Sequence, residues 1–450
     1  MKISKYLQLA QNYILYNKYY RQAKHLIVKG NFNSKEEIER YQYSKLMELI
    51  DYSYQHVPYY KDLFNSIDFR PEDFKTIKDI KRIPFLTKNL VREKQDQLIS
   101  NKWKKENIKI AETGGTTGLP MSFYLDKRTS SLIEMAYLQD IWKRVNYKRY
   151  DRCIILREND VPNIIHGKKY WEMNYITNWL IMSTYHLNAD TFLLYYFKIE
   201  SFKPRYIMAF PSNVYLMAKF IKEHNLPIIK TLKGIICSSE NIIEWQKEFI
   251  EEVFKVRVFS YYGHSEKCII ASECMDEKLF EFYPQYGFVE LLNEEDEWCT
   301  EEDESGEIVA TGFNNLASPL IRYRTEDIGI YTKNRCKNNP NWFAIKKIEG
   351  RKQDFIVDKD GIPKTAISID RPFWQIRNDI YAYQYIQDAP GKVTVNVHAK
   401  EKLTEGQTEA IRKIFMENYF KFDIVINQVD EIPRTKNGKF KYLVQNIRIF

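Results

Sequence analysis

RYIMAFPSNVYLMAKFIKEHN (residues 205–225), LKGIICSSENIIEWQKEFIEEVF (232–254) and VRVFSYYGHSE (256–266) decide the fold class. Each opens on a short β-rich apolar run, and in the first two a longer stretch with apolar residues at helical spacing follows. Strand alternating with helix implies an α/β architecture with largely parallel strands. Working outward, the pattern covers residues 107–330 and takes in IKIAETGG (108–115) and RCIILR (152–157). Upstream, residues 1–105 mix charged and apolar positions as amphipathic helices do, and the prolines of HVPYYKDLF (56–64) and of 68–94 cut them into short pieces that wrap the surface. Acidic 292–307 reads as a solvated turn. After Gly350 come a strand (392–400), a helix (404–420), a strand (422–429) and a basic end. The expected domains are 1–350, made of a helical region 1–105 and an α/β core 106–350, and a small C-terminal α+β domain 351–450.

The 450 residues carry 68 basic and 60 acidic side chains, 68 − 60 = +8, with 44% hydrophobic and 15% aromatic residues. A disordered or low-complexity chain is excluded. The basic excess is spread among many acids, so no nucleic acid partner is implied. No stretch is apolar enough to span a bilayer or serve as a signal peptide, which points to the cytoplasm, with weak peripheral membrane docking by the basic first helix as a side possibility. Six scattered cysteines (153, 237, 268, 274, 299, 336) suggest reduced thiols. Glycine is scarce at 16 residues. Its clusters therefore carry weight.

Five blocks carry chemistry. Thr113, Gly114, Gly115, Thr116, Thr117 and Gly118 follow a strand; inward backbone amides and threonine hydroxyls there suit phosphate oxygens. The P-loop NTPase pattern is absent, since Leu, Pro and Met follow Gly118. Tyr262, Gly263, Ser265 and Glu266 end another strand, where an aromatic ring, a close backbone approach and a carboxylate suit a purine and a metal ion. The third block, PLIRYRTED (319–327), offers Asp327 to a pair of vicinal hydroxyls. IEGRKQD (348–354) lies at the composition break and PRTKNGK (433–439) is a basic glycine turn. Each alone is more often structural than functional.

Their order and spacing resemble the adenylate-forming superfamily of acyl-CoA synthetases, luciferases and peptide-synthetase adenylation domains. More narrowly they resemble its phenylacetate:CoA ligase branch and the CapK-like relatives of capsular polysaccharide biosynthesis. IPFLTK (83–88), ICSSENI (236–242), GHSEKCIIASEC (263–274) and FYPQYGFVELL (282–292) read like that branch. The resemblance implies an ATP- and Mg²⁺-dependent ligase that makes an acyl-adenylate and passes the acyl group to a thiol, by default coenzyme A. It implies that Thr113 to Gly118 hold the β- and γ-phosphates, and that Ser238, Ser239, Glu240 and Tyr262 frame adenine. Ser265 and Glu266 would meet phosphate and Mg²⁺, Asp327 and Arg351 the ribose, and Lys439 the charge developing in adenylation. A mobile C-terminal domain would turn about Gln353 or Asp354. A sugar acceptor in surface polysaccharide synthesis, and a catalytically reduced nucleotide-binding protein, are the alternatives, with a monomer or homodimer expected.

Two departures matter. Glu326 stands where relatives commonly have Gly, which adds charge and backbone strain beside Asp327. Some relatives hold zinc through a cysteine like Cys274 and a later pair, here reduced to Cys336, so zinc is not expected. His166, His186 and His264 read as structural, and 137–240 as the source of most of the acyl pocket. Seven of the glycines (114, 115, 118, 263, 306, 350, 438) fall in matching blocks, as if kept where backbone bends around a nucleotide.

Overall fold

The structure, a computed structural model, describes residues 18, 20–28, 32–112, 121–127, 129–157, 170–184, 186–242, 244–351, 355–361, 363–365, 379–417, 422–434 and 440–447. Contacts divide the chain into two compact units: residues 1–115, 119–146 and 261–348 form one, and 116–118, 147–260 and 349–450 the other.

The first unit begins with helices Lys35–His56 and Pro58–Ser66. Ser34 caps the first by accepting from the Glu37 N–H at 3.3 Å, Glu36 and Glu37 suit its positive end, and Pro58 opens the second where no N–H partner exists. This region does more than wrap a surface. Phe64, Phe69, Ile80, Ile83 and Leu86 are at most 1% exposed and share a core with Ile308, Ile321 and Tyr323. The prolines shorten the helices, but the apolar side chains between them still leave water. Leu86 pairs with Tyr323 as a parallel bridge, so the segment adds backbone hydrogen bonds to a strand edge. Gly287–Leu292, Ser305–Gly312 and Tyr323–Tyr331 pair antiparallel in that order, as do Ile270–Glu273 and Phe280–Phe282. The parallel order expected as far as residue 330 therefore stops near residue 260. The reason is connection length: the turns here are too short for the crossover that parallel neighbours require.

The second unit holds the parallel part. Strands Trp179–Met182, Cys153–Leu156, Tyr206–Ala209, Gly234–Cys237 and the start of Val258–Gly263 are successive parallel neighbours, with Trp171–Asn174 antiparallel at the edge. Cys153–Leu156, Tyr206–Ala209 and Gly234–Cys237 are buried at every position, as strands covered on both faces are. Helices Phe192–Phe202, Pro211–Glu223 and Glu244–Phe254 lie between them in the chain. Phe192, Tyr195, Tyr196 and Ile199 of the first are core, whereas Leu193, Leu194 and Phe197 face outward.

The C-terminal stretch is a four-stranded sheet in the order 423–428, 392–399, 380–389, 443–445, with helix Glu405–Glu417 as the crossover. Tyr383, Tyr385, Val393, Val395 and Val397 join Val214, Tyr215 and Trp245 in one core. Lys219, only 2% exposed, sits in this region 3.9 Å from Glu223 and under the ring of Tyr381. Burial first and then Lys400 pull its ammonium down to about 8, against Glu223 and Asp379. The unfolded chain keeps that proton up to about pH 10.5. Stability is therefore expected to rise between those two values, where the folded chain has shed the proton and the unfolded chain has not. Lys219→Met should raise the urea midpoint at pH 7 and flatten that rise; an unaltered slope would contradict the assignment.

Cys153, Cys237, Cys268 and Cys299 are buried and not joined in disulfides. Cys274 and Cys336 correct the expectation of reduced thiols throughout. The end of Ile270–Glu273 and the loop after Tyr323–Tyr331 bring their Cα atoms to 5.9 Å, and the pair is joined as a disulfide. Among the described residues no helix is long and apolar enough to cross a membrane.

Candidate active site

In the first unit, strand Val258–Gly263 ends in a turn that leaves Gly263 and Ser265 exposed and Glu266 buried. Tyr262 donates its hydroxyl to Asp327 Oδ2 at 2.6 Å. Burial first, then the Asp327 charge, pushes that phenol well above its ordinary value. Asp327 is set by its neighbour: its N–H donates to Thr325 Oγ1 at 3.1 Å, and Thr325 donates to the Ile308 carbonyl at 2.6 Å. Glu326 takes a left-handed φ of 64°, the strain that a non-glycine residue brings here. Its added charge is met by Lys88, whose ammonium donates to Glu326 Oε2 at 2.7 Å.

Glu266 is held from two sides. Tyr323 donates to its Oε1 at 2.6 Å, and His264 Nδ1 lies 3.3 Å from its Oε2. Burial raises this carboxyl, but the hydrogen bond and charge of His264, with the Tyr323 hydroxyl, outweigh it and bring it to about 2. The group stays ionised at neutral pH, and an ionised oxygen donor suits a hard cation such as Mg²⁺. His264 thus contacts the carboxylate, which its reading as a structural histidine did not include; His186 shares a hydrogen bond with Ser183 at 2.9 Å and stacks on Tyr170. Among the described residues the one group placed closely enough to hold a metal is Cys274, Glu277 and Cys336, and the disulfide takes up both of its sulfurs.

In the second unit, Ser238, Ser239 and Glu240 follow the carboxyl end of Gly234–Cys237, where open α/β sheets bind ligands. Ser238 accepts from Arg157 at 3.0 Å, Ser239 has a φ of 69°, and Glu240 Oε2 accepts from the Ser212 N–H at 3.1 Å. That N–H belongs to the first turn of Pro211–Glu223, a place where a carboxylate is favoured. Arg434 donates to Asn213 Oδ1 in the same turn. Arg351 ends strand Ala344–Arg351, next to Gly350 at φ 129°. Thr113, Gly114, Gly115, Thr116, Thr117, Gly118, Gln353, Asp354, Lys439, His166 and the side chain of Arg351 lie outside the described residues.

Sequence reading left Tyr323, Lys88, Arg157, Asn213 and Arg434 without roles, and gave His264 only a structural one. Tyr323 and Arg434 stood inside the blocks read for chemistry, a usable signal; Lys88 ends the quoted IPFLTK (83–88), but its partner Glu326 is 238 residues away and the pairing was not legible.

The fold is that of adenylate-forming CoA ligases. A solved structure of 2-hydroxyisobutyryl-CoA ligase in its postadenylation state, in complex with R3-HIB-AMP, matches with a TM-score of 0.72 at 15% identity, over 92% of this chain and 90% of that one. The chain is a homologue of protein CapK of Staphylococcus aureus, 26% identical over 83% of this chain and 82% of that protein. It is also a homologue of the phenylacetate-coenzyme A ligase of Aromatoleum evansii, 24% identical over 72% of each chain. Residues 356–446 match the family model described as the CapK C-terminal domain.

Proposed function

We propose that this protein is an AMP-forming acid–thiol ligase. A substrate carboxylate oxygen bonds to the α-phosphorus of ATP as the bond to pyrophosphate breaks; a thiolate, coenzyme A by preference, then bonds to the acyl carbon and AMP leaves. The observation that carries the reading is the pair of differently held carboxyl sites: half-buried Asp327 aligned by Tyr262 and Thr325, and buried Glu266 kept ionised by His264 and Tyr323. Such fixed groups position a nucleotide without reorganising in the reaction.

In this reading Asp327 and Arg351 bind the ribose, and Ser238, Ser239, Glu240 and Tyr262, with Gly263, frame the adenine. Thr113, Gly114, Gly115, Thr116, Thr117 and Gly118 hold the β- and γ-phosphates, with Ser265 beside them. Glu266 would hold Mg²⁺, which supplies charge neutralisation at the phosphates when bound. Residues 351–450 act as the small domain, turning at Gln353 or Asp354, and bring Lys439 to the first step. A sugar of surface polysaccharide as acyl acceptor is the alternative that the resemblance to CapK-like relatives implies.

ATP–pyrophosphate exchange across a panel of carboxylic acids tests the activity. Exchange with at least one acid is expected, and none with any acid would overturn the reading; adding coenzyme A or candidate sugars then separates thioester from ester products. Asp327→Asn should raise the KM for ATP about 10–100-fold, the worth of a charged hydrogen-bond pair to vicinal hydroxyls, with a smaller change in kcat. A kcat loss at constant KM would instead place Asp327 in the chemistry.

A further inference from the structure

We propose that Glu134 is a positioning residue: through an ion pair with Lys267 it holds the turn that carries Ser265 and Glu266 in the shape that meets MgATP. The proposal deepens the ligase reading and rests on it for what the turn binds. Residues 134 and 261–273 both belong to the first unit. Gly263 at the end of Val258–Gly263 stands opposite Ile270 of the antiparallel strand Ile270–Glu273, so residues 264–269 are the loop of a hairpin. Within it, the Lys267 N–H donates to the His264 carbonyl at 3.0 Å and closes a tight turn over Ser265 and Glu266. That closure sets Lys267 in the left-handed region, at φ 59°, one place after the buried carboxylate. Glycine adopts this backbone freely, whereas a residue with a Cβ is disfavoured in it.

A strained residue beside a binding group persists only where its surroundings over-determine it. Glu134 supplies that hold. It lies on helix Thr129–Lys143, and its Oε2 accepts from the Lys267 ammonium. The helix is itself anchored, since Tyr137, Ile141 and Trp142 are at most 1% exposed and Asp140 accepts from the Tyr283 hydroxyl at 3.0 Å. The side chains of Lys267 and Glu134 are 12% and 23% exposed, so solvent ions screen the pair far less than they screen Lys333 with Glu301. Glu266 takes its own partners from Tyr323 and His264. The ion pair therefore acts on the backbone that carries the carboxylate, and not on the carboxylate.

The test uses Glu134→Gln, Lys267→Ala, Lys267→Gly and the double variant Glu134→Gln with Lys267→Gly, all in the full chain. In Glu134→Gln and Lys267→Ala the turn loses its hold but keeps its strain, so the binding shape should fall about 10-fold in population. The KM for ATP in pyrophosphate exchange should rise by about that factor with kcat within about threefold, because saturating nucleotide restores the shape. Calorimetric titration with ATP and Mg²⁺ should show the same factor in Kd without turnover. Lys267→Gly removes the strain along with the hold, and should stay within about threefold of the wild type on both measures. In that background Glu134→Gln should add nothing. A glycine variant as impaired as the alanine one, Glu134→Gln costing as much in the glycine background as in the wild type, or a fall in kcat at constant KM overturns the inference. Hydrogen exchange reads the turn without nucleotide: protection in 264–270 should fall about 10-fold in Glu134→Gln while 305–312 keeps its own. Unchanged protection in 264–270, or equal loosening of both stretches, overturns the hold whatever the assays show. A wild type that binds no ATP, with 264–270 alone loosened in Glu134→Gln, would fault the ligase reading and leave the hold standing.

Discussion

Lys439→Ala is expected to lower kcat for ATP–pyrophosphate exchange by about 10²–10³-fold, the usual effect of removing one preorganised charge from a developing anion. ATP KM should move little. As the carboxylate closes on the α-phosphate, negative charge gathers between two groups that already repel, and a compact ammonium on a long stem can be present for that step and absent for the next. In the sequence the residue stands one position before Phe440, which pairs with Arg434 as an antiparallel bridge. Lys439→Arg should rescue poorly, since a bulkier, planar cation cannot take the same place. Burst measurement of AMP-linked product separates the steps: adenylate formation should become rate-limiting, with the acyl transfer from supplied adenylate retained. Exchange at the wild-type rate would remove Lys439 from the mechanism.

Much of the fold could be read because its signal is local. Strands such as Tyr206–Ala209 and Gly234–Cys237 are short, apolar at every position and followed by amphipathic helices, so their type and burial follow from runs of a few residues. Asp327 and Tyr262 were also legible as candidates. Their hydrogen bond across 65 residues was not, since it depends on how antiparallel strands register. The same limit hid Tyr323 as the partner of Glu266 and the joining of Cys274 to Cys336, which are 62 residues apart. Glycine is the instructive case. A side chain at Gly287 would lie 2.0 Å from the Cys268 carbonyl oxygen, and one at Gly306 would lie 2.5 Å from Cys299 Sγ. Gly263, by contrast, would meet nothing nearer than 3.8 Å. Scarcity therefore marked glycines that strand packing requires along with those in nucleotide blocks, and composition cannot separate the two because the neighbouring backbone comes from distant sequence.

Glu290→Ala should be among the most damaging substitutions outside the nucleotide groups, at about 3–5 kcal/mol, because it strands a buried cation. Arg322 and Glu290 are 4% and 1% exposed and meet through two parallel bonds of 3.0 and 2.9 Å. The third nitrogen of Arg322 donates to the Ile83 carbonyl at 2.8 Å, and the ring of Phe85 lies 4.1 Å away. Trp298 donates to Glu290 as well, at 3.1 Å. The pair therefore ties the leading segment to the strand that presents Tyr323, Glu326 and Asp327. Urea unfolding should show the loss as a lower midpoint at unchanged slope. Replacing both partners, Glu290→Leu with Arg322→Met, should recover most of it, since the desolvation cost goes with the charges. For scale, Lys333 and Glu301 are 60% and 78% exposed, and breaking that pair should cost less than about 1 kcal/mol. A single variant costing no more than the exposed pair would show that water reaches Arg322. A double variant no better than the single would show that the pair's geometry, and not its charge, holds the 83–88 segment against the strand. In that case ATP KM should rise in both variants, because Lys88 would no longer be placed to meet Glu326.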